Sequence, residues 1–558
     1  MVRQEARAVA GAAPARTDEL ARGSTGRRTR NPAVIGVAAA TIGGLVLRLA
    51  LVARSLVVLD RLFIPDDTYY TLTIARSIAH GHGPTTDGHT LTTGFQPLLA
   101  FVMTPVFWIT DGSQALRINL LFLVLVDAAT IAVLGWIAYR VAGSVAAIVA
   151  SGVWAISPVA LSMALGGLET SLAIFLDALL VAVWIHANDR DDRRWWIAAG
   201  AVAGLTVLAR IDALLLVALL GIVQLVRGRA RDLVPSGIAG ALVLAPWWIW
   251  SWVNMGTVVP TSGSAAHALV TTHFDETTFS SALGAASGGP FDVWNWLRTK
   301  LGTHVAVGSV GFFVAVVGLV LLAAVVASTR SFGPARERER SAGPIVATLP
   351  VFAAGLLLFY AWFGVTWYFT RYLAPVAMVV TLLVALGAAR LARVHLGPRH
   401  AGMAIVCALL VFPLFVGVRL TARFFTANDH ILSSSDAATG YSEPARRVVS
   451  KIPNGSVAAG MQTGATSYWA DERFTMVNLD GVVNPDAYRA TRKHRIAAYA
   501  RARGVTYFAD WSPAFSHWFL IDVPSSGLRI PSSTTIALVR RGNNLPLMAA
   551  RFQWAPSP

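Results

Sequence analysis

The feature that most constrains this chain is the series of apolar stretches that recur along most of its 558 residues. A helix that crosses a membrane needs about 20 mostly apolar residues. The pattern therefore predicts an all-α polytopic membrane bundle of about 11 transmembrane helices. The candidate spans are 33–57, 115–138, 143–161, 170–186, 195–209, 211–226, 234–255, 304–327, 345–363, 372–389 and 401–421.

The composition supports a membrane protein. Charged residues make up 14% of the chain and hydrophobic residues 55%, whereas about 25% of a soluble domain is charged. The formal net charge of +16 is carried by arginine clusters between the apolar runs, which is topology information and predicts no nucleic-acid partner. Rarity of lysine and abundance of arginine, alanine and glycine are typical of a GC-rich bacterial genome, so we expect the protein in a bacterial inner membrane. The single cysteine excludes an intrachain disulfide.

Arginine placement predicts the orientation, because cytoplasmic loops are enriched in positive charge. Residues 1–32 are predicted to be a disordered cytoplasmic tail, residues 33–421 the membrane domain, and residues 58–114 an external loop within it. The segment 97–110 is short and contains two prolines, so we expect a helix lying in the outer interface. Residues 422–558 are then extracytoplasmic.

The carboxyl-terminal residues 422–558 are predicted to form a small α/β domain, because short strand patterns alternate with a helical one. Strands are expected at 455–460, 473–481 and 505–511. The basic segment 485–504 is expected to form one amphipathic helix between the last two strands.

Two adjacent carboxylates, Asp66 and Asp67, stand where the first apolar span has ended. In one interpretation they cap a helix that begins at Thr68. In the other, a carboxylate acts as general base towards a sugar hydroxyl, or the pair helps to hold a divalent cation such as Mg²⁺ or Mn²⁺. Capping needs only one carboxylate and adjacent carboxylates repel each other, so their position favours chemistry on a substrate that arrives from the lipid.

The loop PDDTYYTLTIARSIAHGHGP, followed by TTGFQPL, resembles the first external loop of the GT-C superfamily of integral-membrane glycosyltransferases. Further segments fit that family in order along most of the chain: GGLETSL, LARIDALLL, GTVVPTSGSAAH, WYFTRYLAP and, in the external tail, NLDG. The resemblance implies a sugar donor on a polyprenyl phosphate and an acidic base in the first external loop. The role of base carries over to Asp66, which follows Pro65, with Asp67 as the neighbour that assists or coordinates metal.

The remaining candidates are substrate contacts. Arg371, beside Tyr372 at the outer end of a span, suits the carrier phosphate because a guanidinium forms paired hydrogen bonds with phosphate oxygens; the alternative is a side chain that reaches for the interface. In many relatives a lysine at the end of the loop 256–267 is thought to meet that phosphate. Here the position is His267, so Arg371 becomes the favoured candidate for the phosphate contact. The other candidates are His82, Glu169 and Arg210.

Several of these polar residues also have a structural interpretation. Glu169 is favourably placed for a helix N-terminus, and Arg210 pairs with Asp212 in the simplest account of two charges at a membrane face. Arg48 and Asp127 lie within spans, and we predict that they pair inside the bundle and stay outside the site.

The sequence therefore predicts a glycosyltransferase of cell-envelope synthesis. It would move a single sugar from a polyprenyl-phosphate-linked donor to a glycan or glycoconjugate acceptor on the outer face, by an inverting displacement. The alternative function is a transporter or flippase of lipid-linked sugars. Such proteins place their sites near the bilayer midplane, often between internal repeats, whereas this chain has its acid pair at a membrane surface.

Overall fold

The computed structural model describes residues 32–190, 192–266, 337–363, 370–392, 417–428, 440–511, 532–541 and 544–554, with the single positions 415, 519 and 523. Four sequence predictions lie wholly or mainly outside the described residues: the amino-terminal tail, the site candidate His267, the span 304–327 and most of the span 401–421.

Helices form the apolar part of the described chain. Those before residue 170 are α1 (Pro32–Val52), α2 (Leu56–Leu62), α3 (Asp66–Ala79), α4 (Pro97–Met103), α5 (Gly112–Ala142), α6 (Ser144–Ala155) and α7 (Pro158–Leu165). Those from residue 170 onwards are α8 (Thr170–Arg190), α9 (Arg193–Ala209), α10 (Leu214–Val226), α11 (Ala230–Met255), α12 (Glu337–Val346), α13 (Thr348–Phe363) and α14 (Ala374–Leu391). Short 3₁₀ turns lie at Thr104–Trp108, Ile211–Ala213 and Thr370–Leu373.

The described helices only partly account for the predicted spans. Six are long and apolar enough to cross a membrane, or seven if α6 and α7 are one span bent by 51°. The bend is explained by Pro158, which lacks the N–H that would continue α6. The hairpin α9–α10 falls short of a span in each arm, since 17 residues of α9 cover only about 26 Å. A count of 11 spans is not confirmed.

The packed interior of the bundle contains many small side chains and a buried ion pair. Ala146, Ala178 and Ala385 are fully buried, and small residues allow helix backbones to approach closely. Arg48 Nε donates to Asp127 Oδ2 at 2.6 Å, and both side chains are buried. The predicted Arg48–Asp127 pair is therefore confirmed, and it accounts for two charges that would otherwise be costly inside a membrane.

The carboxyl-terminal region contains a five-stranded sheet. Its strands are β1 (Val457–Gly460), β2 (Thr475–Asn478), β3 (Tyr507–Trp511), β4 (Ser532–Arg541) and β5 (Asn544–Gln553). The sheet order is β2-β1-β3-β5-β4, with β1 parallel to β2 and β3, and β5 antiparallel to β3 and β4. The three predicted strands are confirmed, whereas the antiparallel pair β4–β5 has no counterpart in the sequence prediction.

The helices of this region are shorter than predicted. They are α15 (Ser442–Val449), α16 (Gly464–Ala470), α17 (Pro485–Thr491) and α18 (Ile496–Ala502). The prediction of one helix over 485–504 is wrong, because the chain turns through His494 with φ at +52° and an L-residue in that conformation cannot continue a right-handed helix. The turn lies in the basic run 492–495, where the like charges of Arg492, Lys493 and Arg495 also disfavour a compact helix.

Helix α3 joins the two parts of the molecule. Its aromatic ring at Tyr69 packs 5.6 Å from that of Tyr468 on α16. Arg76 Nη1 donates to Asp471 Oδ1 at 3.0 Å, and Arg76 Nη2 donates to the Tyr468 carbonyl at 3.1 Å. Nearly every residue of this helix is buried although its sequence is rich in hydroxyl groups. The helix that begins with the acid pair is thus held by the carboxyl-terminal region along its whole length.

Candidate active site

The acid pair occupies the first turn of α3. Pro65 is the N-cap residue and its side chain makes no capping hydrogen bond. Asp66 instead accepts hydrogen bonds from two backbone amides of α16, from Gly464 N to Oδ2 at 3.0 Å and from Ala465 N to Oδ1 at 2.8 Å. The predicted cap of a helix beginning at Thr68 is wrong, because the helix already begins at Asp66. Asp66 instead caps a helix of the carboxyl-terminal region.

The amides that precede α16 are also accepted by side chains. Asp510, at the end of β3, accepts from Met461 N and Gln462 N. The hydroxyl of Tyr70, one turn after Asp66 on α3, accepts from Thr463 N at 2.7 Å. Together with the two amides held by Asp66, five consecutive N–H groups have side-chain acceptors, which fixes the loop between β1 and α16 against α3.

Burial gives the Asp66 carboxyl group an unusual proton affinity. Removal from water is the largest of several effects that together raise its pKa to about 7; the charge of Asp67 acts in the same direction, and the two backbone hydrogen bonds oppose the shift. A carboxyl group with a pKa near neutrality exchanges a proton readily under physiological conditions, which is the property expected of a general base.

Asp67 points to a different partner. Its carboxylate accepts a hydrogen bond from the Arg371 guanidinium, which comes from the 3₁₀ turn just before α14. The Asp67 side chain is 39% exposed, whereas that of Arg371 is 9% exposed. The more accessible of the two carboxylates is therefore the one that contacts the predicted phosphate-binding arginine.

A second buried charge cluster surrounds Arg210, at the turn between α9 and α10. Its guanidinium donates to Glu169 Oε1 at 3.0 Å and to Asp212 Oδ2 at 2.8 Å. The Tyr360 hydroxyl accepts from Arg210 Nη2 at 2.8 Å and donates to Asp212 Oδ2 at 2.6 Å. The predicted Arg210–Asp212 pair is confirmed, and the cluster also includes Glu169.

Tyr372 links the two groups of charges. Its ring stacks on that of Tyr360, with 5.0 Å between centroids and 8° between planes. The guanidinium carbons of Arg371 and Arg210 lie 5.3 and 5.8 Å from the centroid of the Tyr372 ring. The structure thus brings five candidates into one continuous array: Asp67, Arg371, Tyr372, Arg210 and Glu169.

His82 is placed elsewhere. It lies beyond the far end of α3, which at 14 residues is about 21 Å long. There its ring is exposed and lies 6.5 Å from that of His80. The structure does not bring His82 to the acid pair.

Three residues in or beside these two networks were not identified from the sequence. Tyr70 and Tyr360 are tyrosines whose hydroxyls lie in the two networks, and no local pattern distinguished them from core aromatic residues. Asp480 belongs to the NLDG segment, which the sequence linked to the family but to which it gave no role. Burial raises the pKa of Asp480 to about 8, with smaller contributions from the charges of Asp67 and Asp66.

The described residues do not fit a divalent cation at the acid pair. Both oxygens of Asp66 accept backbone amides, and the carboxylate of Asp67 is paired with Arg371. Within the described part of the chain, no group of three or more His, Cys, Asp or Glu side chains has an arrangement suited to a metal ion.

Comparison with known proteins gives the fold its class. No protein-family model matches the chain, and no curated protein matches its sequence. Among solved structures, ArnT from Cupriavidus metallidurans bound to undecaprenyl phosphate is 16% identical, with a TM-score of 0.52 over 92% of this chain and 97% of that one. The chain has the GT-C fold.

Two structures of an oligosaccharyltransferase from Archaeoglobus fulgidus share the GT-C fold. One, tethered with an acceptor peptide, is 15% identical, with a TM-score of 0.55 over 94% of this chain and 74% of that one. The other, AglB in complex with an inhibitory peptide and a dolichol-phosphate, is 14% identical, with a TM-score of 0.53 over 86% of this chain and 69% of that one. At these identities the similarity establishes the fold, and the activity is argued from the site.

Proposed function

We propose that this protein is a membrane glycosyltransferase that transfers a single sugar from a polyprenyl-phosphate-linked donor to a hydroxyl group of an acceptor. The observation that carries the proposal is the contact between Asp67 and Arg371. It places a carboxylate pair and a cation suited to phosphate side by side, although they are 304 positions apart in the chain. Solved structures with this fold hold undecaprenyl phosphate and dolichol-phosphate, which supports a carrier of the same kind here.

The proposed reaction is a direct displacement at the anomeric carbon. Asp66 accepts the proton of the acceptor hydroxyl as its oxygen forms a bond to the anomeric carbon. The bond from that carbon to the phosphate oxygen breaks on the opposite face, and its electron pair leaves with the polyprenyl phosphate. Arg371 stabilises the negative charge that develops on this phosphate, and the anomeric configuration is inverted.

An apolar groove next to the Arg210 cluster suits the carrier lipid. It has a volume of about 670 Å³ and lies between α9, α10 and α11. Leu214, two residues after Asp212, lines it beside Gly204, Gly240 and Trp248. We propose that the first isoprenoid units occupy this groove, with the phosphate beyond Leu214, in the direction of Arg371.

The proposed orientation follows the arginine clusters. The amino terminus is in the cytoplasm of a bacterial cell, and the acid pair and the carboxyl-terminal region are outside the inner membrane. The acceptor, a glycan or glycoconjugate, reaches the acid pair from the water side. A transporter of lipid-linked sugars remains the competing function, and it predicts movement of the donor across the membrane without cleavage.

The proposed function is tested with the purified full-length protein in detergent. Radiolabelled polyprenyl-phosphate mannose and polyprenyl-phosphate arabinose are supplied as donors, and released polyprenyl phosphate and labelled product are measured. Cleavage of either donor with transfer to an added sugar acceptor is expected. Movement of intact donor across proteoliposomes with no cleavage would overturn the enzymatic function in favour of the transporter.

Substitution of Arg371 tests the phosphate contact. Arg371→Ala is expected to raise the dissociation constant of the donor about 10- to 100-fold, because a hydrogen bond to a charged group contributes roughly 1.5–3 kcal/mol. Donor binding is measured by titration of the protein with polyprenyl-phosphate sugar. Arg447→Ala is the matched control, since Arg447 is an exposed arginine paired with Glu443. Equal affinities of the two variants would remove Arg371 from the phosphate site.

The pH dependence of transfer tests the base. The ionised form of Asp66 is required, so transfer is expected to rise with pH through an apparent pKa of about 7. The stability of the fold changes in the opposite direction, because the pKa of Asp66 is raised from 3.8 to about 7 on folding. The stabilising contribution of the protonated carboxyl group is complete below about pH 4 and is lost as the pH rises through about 7. Initial rates of transfer and melting temperatures, each determined between pH 5 and pH 9, measure the two pH dependences. A rate that is flat over this window would exclude Asp66 as the base.

A further inference from the structure

Asp480 lies in a tight turn that follows strand β2. Its Oδ1 accepts from Val482 N at 2.7 Å, and Asn478 Oδ1 accepts from Gly481 N at 3.1 Å. Gly481 has φ at +82°, a conformation that glycine adopts without strain. These bonds fix the turn internally, and Asp480 is only 8% exposed.

The same turn is attached to the acid pair's own helix and loop. Asn478 Nδ2 donates to the Tyr70 hydroxyl at 3.1 Å, one turn after Asp66. On the other side, a Cβ atom added to Gly94 would stand 1.8 Å from the Val482 carbonyl oxygen, so only glycine fits there. The turn that contains Asp480 is therefore held between α3 and the segment 92–94 of the first loop.

This placement puts a third carboxyl group beside Asp66 and Asp67. The charges of both raise the pKa of Asp480, in addition to the larger effect of burial. Asp66 and Asp67 lie on α3, whereas Asp480 follows strand β2. The three carboxyl groups are therefore close together only when the carboxyl-terminal region is packed against α3. Asp480 takes no part in the proposed displacement.

A further buried polar group lies in the segment that closes on this turn. The Thr93 hydroxyl, adjacent to Gly94, has no hydrogen-bond partner among the described residues, and Thr93 is 2% exposed. A buried hydroxyl without a partner is costly, and a ligand that brings its own donors and acceptors would satisfy it.

We propose that Asp480 and Thr93 bind the hydroxyl groups of the acceptor, and that the acceptor is an uncharged polyhydroxylated chain. This inference rests on the proposed function, in which Asp66 takes the proton of the reacting hydroxyl. Asp480 holds a neighbouring hydroxyl of the same sugar, so that the reacting oxygen stands at Asp66 with its proton towards the base.

Electrostatics selects the acceptor class. Asp480 is enclosed near two other carboxyl groups, and the charges of Asp67 and Asp66 add to the effect of burial in raising its pKa. An acceptor carrying a carboxylate or phosphate would add a further like charge, which disfavours binding. A neutral sugar instead offers hydroxyl groups that both donate and accept, and it matches carboxyl and threonine hydroxyl groups without adding charge.

The test separates acceptor binding from donor chemistry. Asp480→Asn keeps the oxygen that accepts from Val482 N and removes the ionisable group, so the fold is retained. Binding of a neutral methyl mannobioside, a neutral methyl arabinobioside and a methyl disaccharide of mannuronic acid is measured by calorimetry in the absence of donor. Acceptor KM, kcat and donor affinity are then measured with polyprenyl-phosphate mannose and polyprenyl-phosphate arabinose. Asp486→Asn is the matched control, because Asp486 is a more exposed acid of the same region paired with Arg489.

Asp480→Asn is expected to weaken binding of a neutral disaccharide tenfold or more and to raise the acceptor KM equally, with donor affinity unchanged. Thr93→Val is expected to weaken binding less, in the same direction, and Asp486→Asn to have no effect. Equal binding to Asp480→Asn and wild type, or wild-type preference for the uronic-acid disaccharide, would overturn the inference. Absence of donor cleavage by the wild type, with neutral disaccharide binding that depends on Asp480, would overturn the proposed function and leave the acceptor site standing.

Discussion

Replacement of Asp66 by asparagine is expected to lower sugar transfer by roughly 10²- to 10⁴-fold, the usual contribution of a general base, with little change in donor affinity. Asparagine cannot accept the proton of the acceptor hydroxyl. Transfer is measured as initial rate at saturating donor, and donor affinity by titration. Asp67→Asn is expected to cost less in rate and to weaken donor binding, because Asp67 orients Arg371.

The control must account for the structural role of Asp66, whose carboxylate accepts two amides of α16. Tyr70→Phe removes a neighbouring acceptor of the same loop, the hydroxyl that Thr463 N contacts, and leaves both carboxylates in place. It is expected to lower stability by about 1–3 kcal/mol and to reduce transfer far less than Asp66→Asn. Similar losses of transfer in both variants would show that Asp66 acts only by docking the carboxyl-terminal region.

Removal of the Arg210 guanidinium is expected to give the largest loss of stability. Arg210→Met leaves Glu169 and Asp212 as buried carboxylates without their cation, and breaking a buried pair from one side costs about 3–5 kcal/mol. The loss is measured as a fall in the melting temperature of the detergent-solubilised protein, and by denaturant titration.

Two further variants test whether the loss of stability in Arg210→Met comes from its unpaired buried carboxylates. Arg489→Met removes an exposed partner of Asp486 and is expected to change stability by less than about 1 kcal/mol. Combining Arg210→Met with Glu169→Gln and Asp212→Asn removes the unbalanced charges and is expected to recover part of the loss. If Arg210→Met were as stable as Arg489→Met, the Glu169 and Asp212 carboxylates would not need the Arg210 cation in order to stay buried.

Much of the fold could be predicted because helices and strands leave hydrophobic patterns in short continuous segments of the sequence. The long apolar runs predicted α1, α5, α8 and α11, and short alternating segments predicted β1 to β3. The Arg48–Asp127 pair could also be predicted, since two charges within apolar spans have few other partners. The pair β4–β5 was missed, and the bend at Pro158 lies inside a run whose composition alone looks like one span.

The site could be predicted only in part, because its contacts join distant segments. Asp66 and Asp67 were identified from adjacent acids at the end of a span, yet their different partners could not be. A sequence gives no indication that the first carboxylate contacts amides at 464 and 465 while the second contacts Arg371. Asp480 was visible as part of a motif, but its position beside the acid pair depends on how α3 docks against the sheet.

The separation of these contacts along the chain has a consequence for biogenesis. Asp66 is joined to its amide partners across 398 and 399 positions. A ribosome that adds about 5–20 residues per second takes roughly 20–80 s to make the intervening chain. Throughout that interval the amino-terminal helices are already entering the bilayer, while Asp66 is solvated and titrates as an ordinary carboxyl group. Under the proposed function, nascent and prematurely terminated copies are therefore expected to lack a working base and to leave carrier lipid untouched until the carboxyl-terminal region has folded against α3.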